Sequence, residues 1–126
     1  MFLFGVLALV LGIVGLVSPN TLLSLINFEI IDPSSRANGD HTLVFLTASS
    51  MAYLNMGAYY VLAALINFRP FFWWTVPFRI LTFIVFSLAI SRGVAPAGFF
   101  GVALWELIGA LLTGAALLWE RRSQSA

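Results

Sequence analysis

The hydrophobic pattern divides the chain into four long apolar segments. They run over about residues 2–18, 42–68, 71–91 and 97–119, and a polar loop at 19–41 separates the first two. About 20 apolar residues in a helix cross the hydrocarbon core of a bilayer, with about 17 as the lower limit. The pattern therefore predicts an all-α protein, a four-helix transmembrane bundle that forms a single membrane domain over residues 1–126.

The first segment also has an interpretation as a signal peptide. No basic residue precedes its apolar run and no A-x-A-like site follows it, although both features are typical of signal peptides. The small residues of this segment predict a packing face against another helix, because small side chains at such spacings let helix backbones approach closely in lipid. They recur at intervals of three, four and seven residues: Gly5, Ala8, Gly12 and Gly15.

The polar stretch after the first span predicts one short helix and one loop. Ser18 and Pro19 form a favourable helix start, and the leucines that follow are interspersed with polar residues. We expect this short amphipathic helix to lie in the membrane interface. The weakly acidic loop from Glu29 to Asp40 is either a solvated connection or a binding surface.

Composition excludes several classes of protein. Hydrophobic residues make up 61% of the chain and charged residues 9%, whereas a soluble domain is about 25% charged. A net charge of +1 without a basic patch argues against nucleic-acid binding. The chain has no Cys and one His, His41, so we expect no metal site and no cofactor.

The arginines predict the orientation of the spans. Four spans place both termini on one side, together with Arg69, Arg121 and Arg122, while Arg36 and Arg92 lie on the other side. Because cytoplasmic loops carry an excess of basic residues, both termini are expected in the cytoplasm. The membrane is expected to be a bacterial inner membrane.

Two charged residues interrupt the third and fourth spans. Arg79 lies 13 residues before Arg92, and Glu106 lies ten residues after Pro96. At about 1.5 Å per residue, these positions are about 20 Å and 15 Å from the same boundary. An arginine side chain can cover that offset. An Arg79–Glu106 ion pair between adjacent antiparallel helices is therefore predicted.

Polar residues of the second span are candidate neighbours of this pair. Asn55 lies about 21 Å from His41, at the level of Arg79, and shares a helix face with Tyr59. Tyr53 is a third polar candidate, on another face of the same span. Lipid offers these groups no hydrogen-bond partner, so they should turn inward. They either hydrogen-bond between helices or line a polar cavity.

The pair itself has two main interpretations. It either fixes the register of two helices, or it lines a pocket for an ion, a proton or a ligand head group. Two further possibilities are an Arg79 that extends to the membrane surface and a protonated Glu106.

No catalytic motif accompanies these residues. The chain contains no HExxH, GxGxxG, GxSxG or Walker-type sequence, so enzyme activity is disfavoured and no catalytic residue is assigned.

The leading hypothesis is a non-catalytic accessory subunit or assembly factor that acts through helix–helix contacts. It would sit in the bilayer as a homo-oligomer or in a larger complex. The alternative is a lipid or quinone binder or transporter, with Arg79, Glu106, Asn55, Tyr59 and Tyr53 as ligand-binding residues. A third, weaker hypothesis is a subunit of a quinone-linked oxidoreductase.

Several short motifs resemble one family. They are Asn55–Ala64, Arg69-Pro70-Phe71, Thr75–Arg79, Gly93 with Pro96, and Trp105–Ala110. Together they are similar to the BphX-like and DoxX-like group of small four-helix membrane proteins. In that group an Arg early in the third span and an acid in the fourth are characteristic, and Arg79 and Glu106 occupy those positions. The acid is often Asp there, so Glu106 departs from the pattern. The resemblance implies a four-helix bundle and implies function only weakly.

Overall fold

Helices account for most of the backbone. The structure, a computed structural model, describes residues 1–125. Its five α-helices are α1 (Phe2–Val17), α2 (Pro19–Leu25), α3 (Thr42–Leu65), α4 (Arg69–Ser91) and α5 (Phe100–Ser125). Single 3-10 turns occur at Pro33–Ser35 and Ala97–Phe99, and no strand occurs within residues 1–125. The predicted all-α class is confirmed, and the four-helix transmembrane bundle stays a prediction.

Three helices end in the same hydrogen-bonded motif. Asn27, Asn67 and Gly93 follow α2, α3 and α4 with φ angles of 60°, 51° and 72°. In each case the next residue donates its N–H to a carbonyl five positions back, as Phe68 does to Ala63 over 2.8 Å. This is the Schellman arrangement, which needs a left-handed residue, and Gly and Asn adopt that conformation most readily.

The helix bounds differ most from the apolar segments at the C-terminal ends of α3 and α5. The left-handed Asn67 ends α3 at Leu65, three residues before the apolar run stops. Helix α5 continues to Ser125, six residues past the predicted end, because Glu120 to Gln124 are mostly good helix formers. Pro77 lies inside α4, which begins at Arg69.

The described residues fall into two units. One consists of α1, α2 and most of α3 (Phe2–Leu62), and the other consists of the end of α3, α4 and α5 (63–125) together with Met1. The prediction of a single domain stays a prediction.

In the first unit, α1 and α3 approach each other backbone to backbone. A Cβ atom added to Gly12 would lie 2.7 Å from the Leu54 nitrogen and 2.8 Å from the Ser50 oxygen. One added to Gly5 would lie 2.9 Å from the Gly57 oxygen. Residues with higher numbers in α1 contact residues with lower numbers in α3, so the two helices are antiparallel. The small residues of α1 therefore form a packing face, as their spacing predicts.

Helix α2 and the polar loop complete this unit. Leu23 of α2 is buried, and Leu22 lies against Gly15 of α1. At the start of α3, Asp40 accepts hydrogen bonds from the hydroxyl and the backbone N–H of Thr42, and a third from Arg36. These bonds, with those from Thr42 as the largest cause, lower the pKa of Asp40 below its ordinary value of 3.8.

Two stretches in the described part of the chain are long and apolar enough to cross a membrane. They are Arg69–Ser91 and Ala97–Ser125. Helix α1 is apolar but has only 16 residues. Helix α3 has 24 residues, and its polar side chains keep its hydropathy too low for the same criterion.

Replacing Gly12 with Ala should destabilise the first unit. The new methyl group would press on the backbone of α3, which a rotamer change cannot relieve, and overpacking of this kind costs about 1–3 kcal/mol. Thermal unfolding of the purified protein in detergent, followed by circular dichroism, measures the effect.

The matched control is Gly101→Ala in α5, where a Cβ meets nothing within 4 Å. Alanine should stabilise that exposed helical position slightly. Equal melting temperatures for the two variants would contradict close packing of α1 on α3.

Candidate functional site

The second unit is an antiparallel hairpin of α4 and α5. Its contacts follow one another in order along the two helices. They are Arg69–Glu120 (3.0 Å between Nη2 and Oε2), Val76 beside Gly114, Arg79–Glu106, Phe83–Phe100 (ring centroids 6.2 Å apart) and Phe86–Phe99 (4.9 Å). The order fixes the register, and Arg79 and Glu106 lie in the middle of it.

Small residues let the two helices meet at this level. On α5 the buried residues include Ala103, Ala110 and Leu117, which recur every seven positions, and both alanines are fully buried. On α4 the buried residues are Thr75 and Arg79, four positions apart. Thr75 satisfies its hydroxyl locally by donating to the Phe72 carbonyl oxygen over 2.8 Å. The face of α4 that contacts α5 therefore carries one charged residue, Arg79. The facing side of α5 has small residues, which leave space for that side chain.

Arg79 and Glu106 form a hydrogen-bonded ion pair. The Nε atom of Arg79 donates to the Oε2 atom of Glu106 over 2.8 Å. The Arg79 side chain is 5% exposed and the Glu106 side chain 16%. Hydrogen bonds between ionised groups are about twice as strong as neutral ones. This bond joins residues 27 positions apart, so it ties the two helices together directly.

Gly109 provides the surface on which the guanidinium lies. A Cβ added to Gly109 would overlap the guanidinium of Arg79, whose Nη1, Cζ and Nη2 atoms are its nearest neighbours. Gly109 follows Glu106 by three residues, so both lie on the same face of α5. Arginine has a planar head group, which fits flat against a bare backbone. Helix α5 therefore supplies both the acceptor and the space for one arginine.

This geometry bears on the interpretation in which the Arg79 side chain extends to the membrane surface. Its guanidinium lies over Gly109 and contacts Glu106, in the middle of the hairpin, so the side chain does not extend to the end of α4. The sequence places Gly109 on the face of Glu106, yet it does not predict a guanidinium above it. The sequence feature that could have indicated this contact is Gly109 itself, a glycine three residues after the lone acid Glu106 in an apolar helix.

The three polar residues predicted from the second span belong to the other unit. Tyr53 and Tyr59 are 40% and 57% exposed, and Asn55 is also exposed. Their hydrogen bonding to the Arg79–Glu106 pair, and a pocket shared by all five residues, stay predictions.

The chemistry available around the pair is limited. Within residues 1–125, no three or more His, Cys, Asp or Glu side chains are grouped so that they could hold a metal ion. The pair consists of one acid and one base that already contact each other. Its clearest physical effect is to hold α4 and α5 in one register.

No protein-family model, curated protein or solved structure matches this chain. The similarity to the BphX-like and DoxX-like group therefore rests on the short motifs quoted above.

Removing either charge of the pair should destabilise the protein. Breaking a buried ion pair costs roughly 3–5 kcal/mol, and the cost should be lower here because Glu106 is partly exposed. We expect Arg79→Gln and Glu106→Gln each to lower the melting temperature. The exposed Arg92→Gln and Glu120→Gln should change it little, since exposed charges contribute about 0–1 kcal/mol.

The exchange of the two charges tests the pairing itself. Arg79→Glu combined with Glu106→Arg should recover part of the folded protein that each single change loses. Recovery should be incomplete because Gly109 accommodates a guanidinium that comes from α4. If the double variant yields no more folded protein than the single variants, the two charges do not stabilise each other.

Adding one methyl group to Gly109 should disturb the pair without altering any charge. Gly109→Ala would displace the guanidinium, lengthen its contact with Glu106 and lower the melting temperature. Gly114→Ala is the control on the same helix, because its Cβ would lie 3.7 Å from Val76, an ordinary contact. Similar melting temperatures for the two variants would show that the guanidinium does not need Gly109.

Proposed function

We propose that this chain is a non-catalytic integral membrane protein, an accessory subunit or assembly factor that acts through helix–helix contacts. In this proposal α1, α3, α4 and α5 cross the bilayer as a four-helix bundle and α2 lies at its interface. Both termini face the cytoplasm of a bacterial cell. The observation that carries the proposal is the large exposed apolar surface of the α4–α5 hairpin.

That surface supports a lipid environment. In the most apolar 18-residue windows of the two candidate spans, only 11% and 22% of the residues are buried, whereas a core helix of a soluble protein is mostly buried. Phe78, Leu112 and Trp119 are 67%, 59% and 76% exposed. Soluble monomers rarely expose contiguous apolar patches larger than a few hundred Å². Hydrocarbon or another protein is the natural cover for such a surface.

The ion pair is compatible with this setting. A lone charge at the centre of a bilayer costs roughly 2.5–3.5 kcal/mol on insertion scales, and such residues normally face the bundle interior and pair with one another. Arg79 and Glu106 lie on the inner faces of α4 and α5 and contact each other. The proposal therefore assigns the pair a structural role, which is to fix the register of the hairpin.

The outer face of α5 supports contacts with other helices. Leu104, Leu111 and Leu118 are exposed and recur every seven residues, and Gly101 and Ala115 lie on the same side. A seven-residue repeat of leucine keeps one seam facing a partner helix, and small residues let the backbones approach. Lipid contact alone requires no such repeat.

Single cysteines on α5 test the proposal cleanly, because the chain has no cysteine of its own. Leu111→Cys, on the outer face, is labelled with a benzophenone maleimide in native membranes and irradiated. We expect a discrete product larger than the 13.8 kDa chain. The neighbouring Ala110→Cys is the control, because that position is fully buried and should give no product.

Two results would contradict the proposal. Extraction of the protein by alkaline carbonate would show that it is not an integral membrane protein. Membrane-embedded protein that gives no cross-link from Leu104→Cys, Leu111→Cys or Leu118→Cys, and that migrates only as a monomer in mild detergent, would exclude the accessory role.

A further inference from the structure

One end of the α4–α5 hairpin combines tryptophan and arginine side chains. We call it the arginine–tryptophan belt, and it consists of Arg69, Trp73 and Trp74 of α4 with Trp119, Arg121 and Arg122 of α5. It includes three of the four tryptophans of the chain. The other end of the hairpin, residues 92–99, contains one arginine and no tryptophan.

The belt carries a surplus of positive charge. Arg69 is neutralised by Glu120, with 3.0 Å between Nη2 and Oε2, and this ion pair joins α4 to α5. Within residues 1–125, neither Arg121 nor Arg122 has an acidic partner, and both are exposed. Three arginines against one glutamate leave a net charge of +2 at this end.

The tryptophans mark the level at which a bilayer would meet the belt. Trp74 is 18 residues from Arg92, and Trp119 is 19 residues from Phe100, so these stretches span about 27–29 Å at 1.5 Å per residue. This length matches the hydrocarbon core of a bilayer, about 30 Å. Trp73, Trp74 and Trp119 are 40%, 58% and 76% exposed, and such rings favour the membrane interface. Along both helices the arginines lie just beyond the tryptophans, so a bilayer that meets the tryptophans at its interface would place the arginines near the lipid phosphates.

We propose that the arginine–tryptophan belt binds the headgroups of anionic phospholipids, with Arg121 and Arg122 as the principal phosphate ligands. Guanidinium groups bind phosphate oxygens through two hydrogen bonds at once, and the exposed indole rings contact the glycerol and upper acyl region of the same lipids. The belt would thereby enrich anionic lipid around this end of the hairpin. This inference rests on the proposed membrane location.

Quenching of tryptophan fluorescence by brominated lipids tests the inference. The protein carries Trp105→Phe throughout, so that the three tryptophans of the belt report. It is reconstituted into phosphatidylcholine vesicles that contain equal fractions of either brominated phosphatidylglycerol or brominated phosphatidylcholine. One basic residue near an anionic surface corresponds to about a fivefold preference. We expect at least that preference for phosphatidylglycerol at low salt, and its loss near 1 M NaCl because of screening.

Three variants identify the residues responsible. Arg121→Gln combined with Arg122→Gln should abolish most of the preference, and the corresponding double change to Lys should retain most of it. Arg92→Gln, at the opposite end of α4, should leave it unchanged. All three positions are exposed, so the fold should tolerate the changes.

Each adverse result has a distinct meaning. Equal quenching by both lipids, in the protein whose belt residues are unchanged, would overturn the inference that the belt binds anionic headgroups. The proposed membrane location would still stand. If the preference for phosphatidylglycerol survives the double Gln change, or if Arg92→Gln also removes it, the lipid preference does not arise from the arginine–tryptophan belt. Quenching by neither lipid would overturn the proposed membrane location and this inference with it.

Discussion

The hydrogen bond between Arg79 and Glu106 is the contact on which the α4–α5 hairpin depends. Burying either charge without the other is costly, so registers that bring the two together are favoured. A slip of one helical turn, about 5.4 Å, would separate both charges from their partner. Gly109 restricts the register of α4 against α5 further, because the guanidinium needs a stretch of backbone without a side chain beside its acceptor. The Arg69–Glu120 contact and the two phenylalanine pairs lie on either side of this point and match the register that it sets.

Counting residues was sufficient to predict that Arg79 and Glu106 meet. The helical rise places both at similar depths in neighbouring antiparallel segments, and the 3.6-residue repeat places Glu106 on a face of small residues. The same counting did not settle the neighbours of Asn55 and Tyr59. Periodicity shows which residues share a face, but it does not show which helix lies opposite that face. The role of Gly109 was also beyond the sequence, because it depends on the path of a long side chain from another helix.

The ends of the helices show a different limit. Hydropathy measures where an apolar run stops, whereas a helix stops where its last carbonyls find other partners. Asn67 in a left-handed conformation ends α3 while the sequence is still apolar. Helix α5 continues through Glu120, Arg121 and Arg122, because charged residues are good helix formers. The predicted bounds were therefore too long for α3 and too short for α5, although the existence of both helices was evident from the pattern.

The position of the pair has a consequence for biosynthesis. Arg79 leaves the ribosome 27 residues before Glu106, so α4 is complete while its counter-charge has yet to be made. In a bilayer α4 alone would expose an unpaired arginine to lipid, and α5 alone would expose an unpaired glutamate. Only residues 92–99 separate the two helices. Under the proposed membrane location, α4 and α5 should therefore leave the insertion machinery together as a preassembled helical hairpin, and not one after the other.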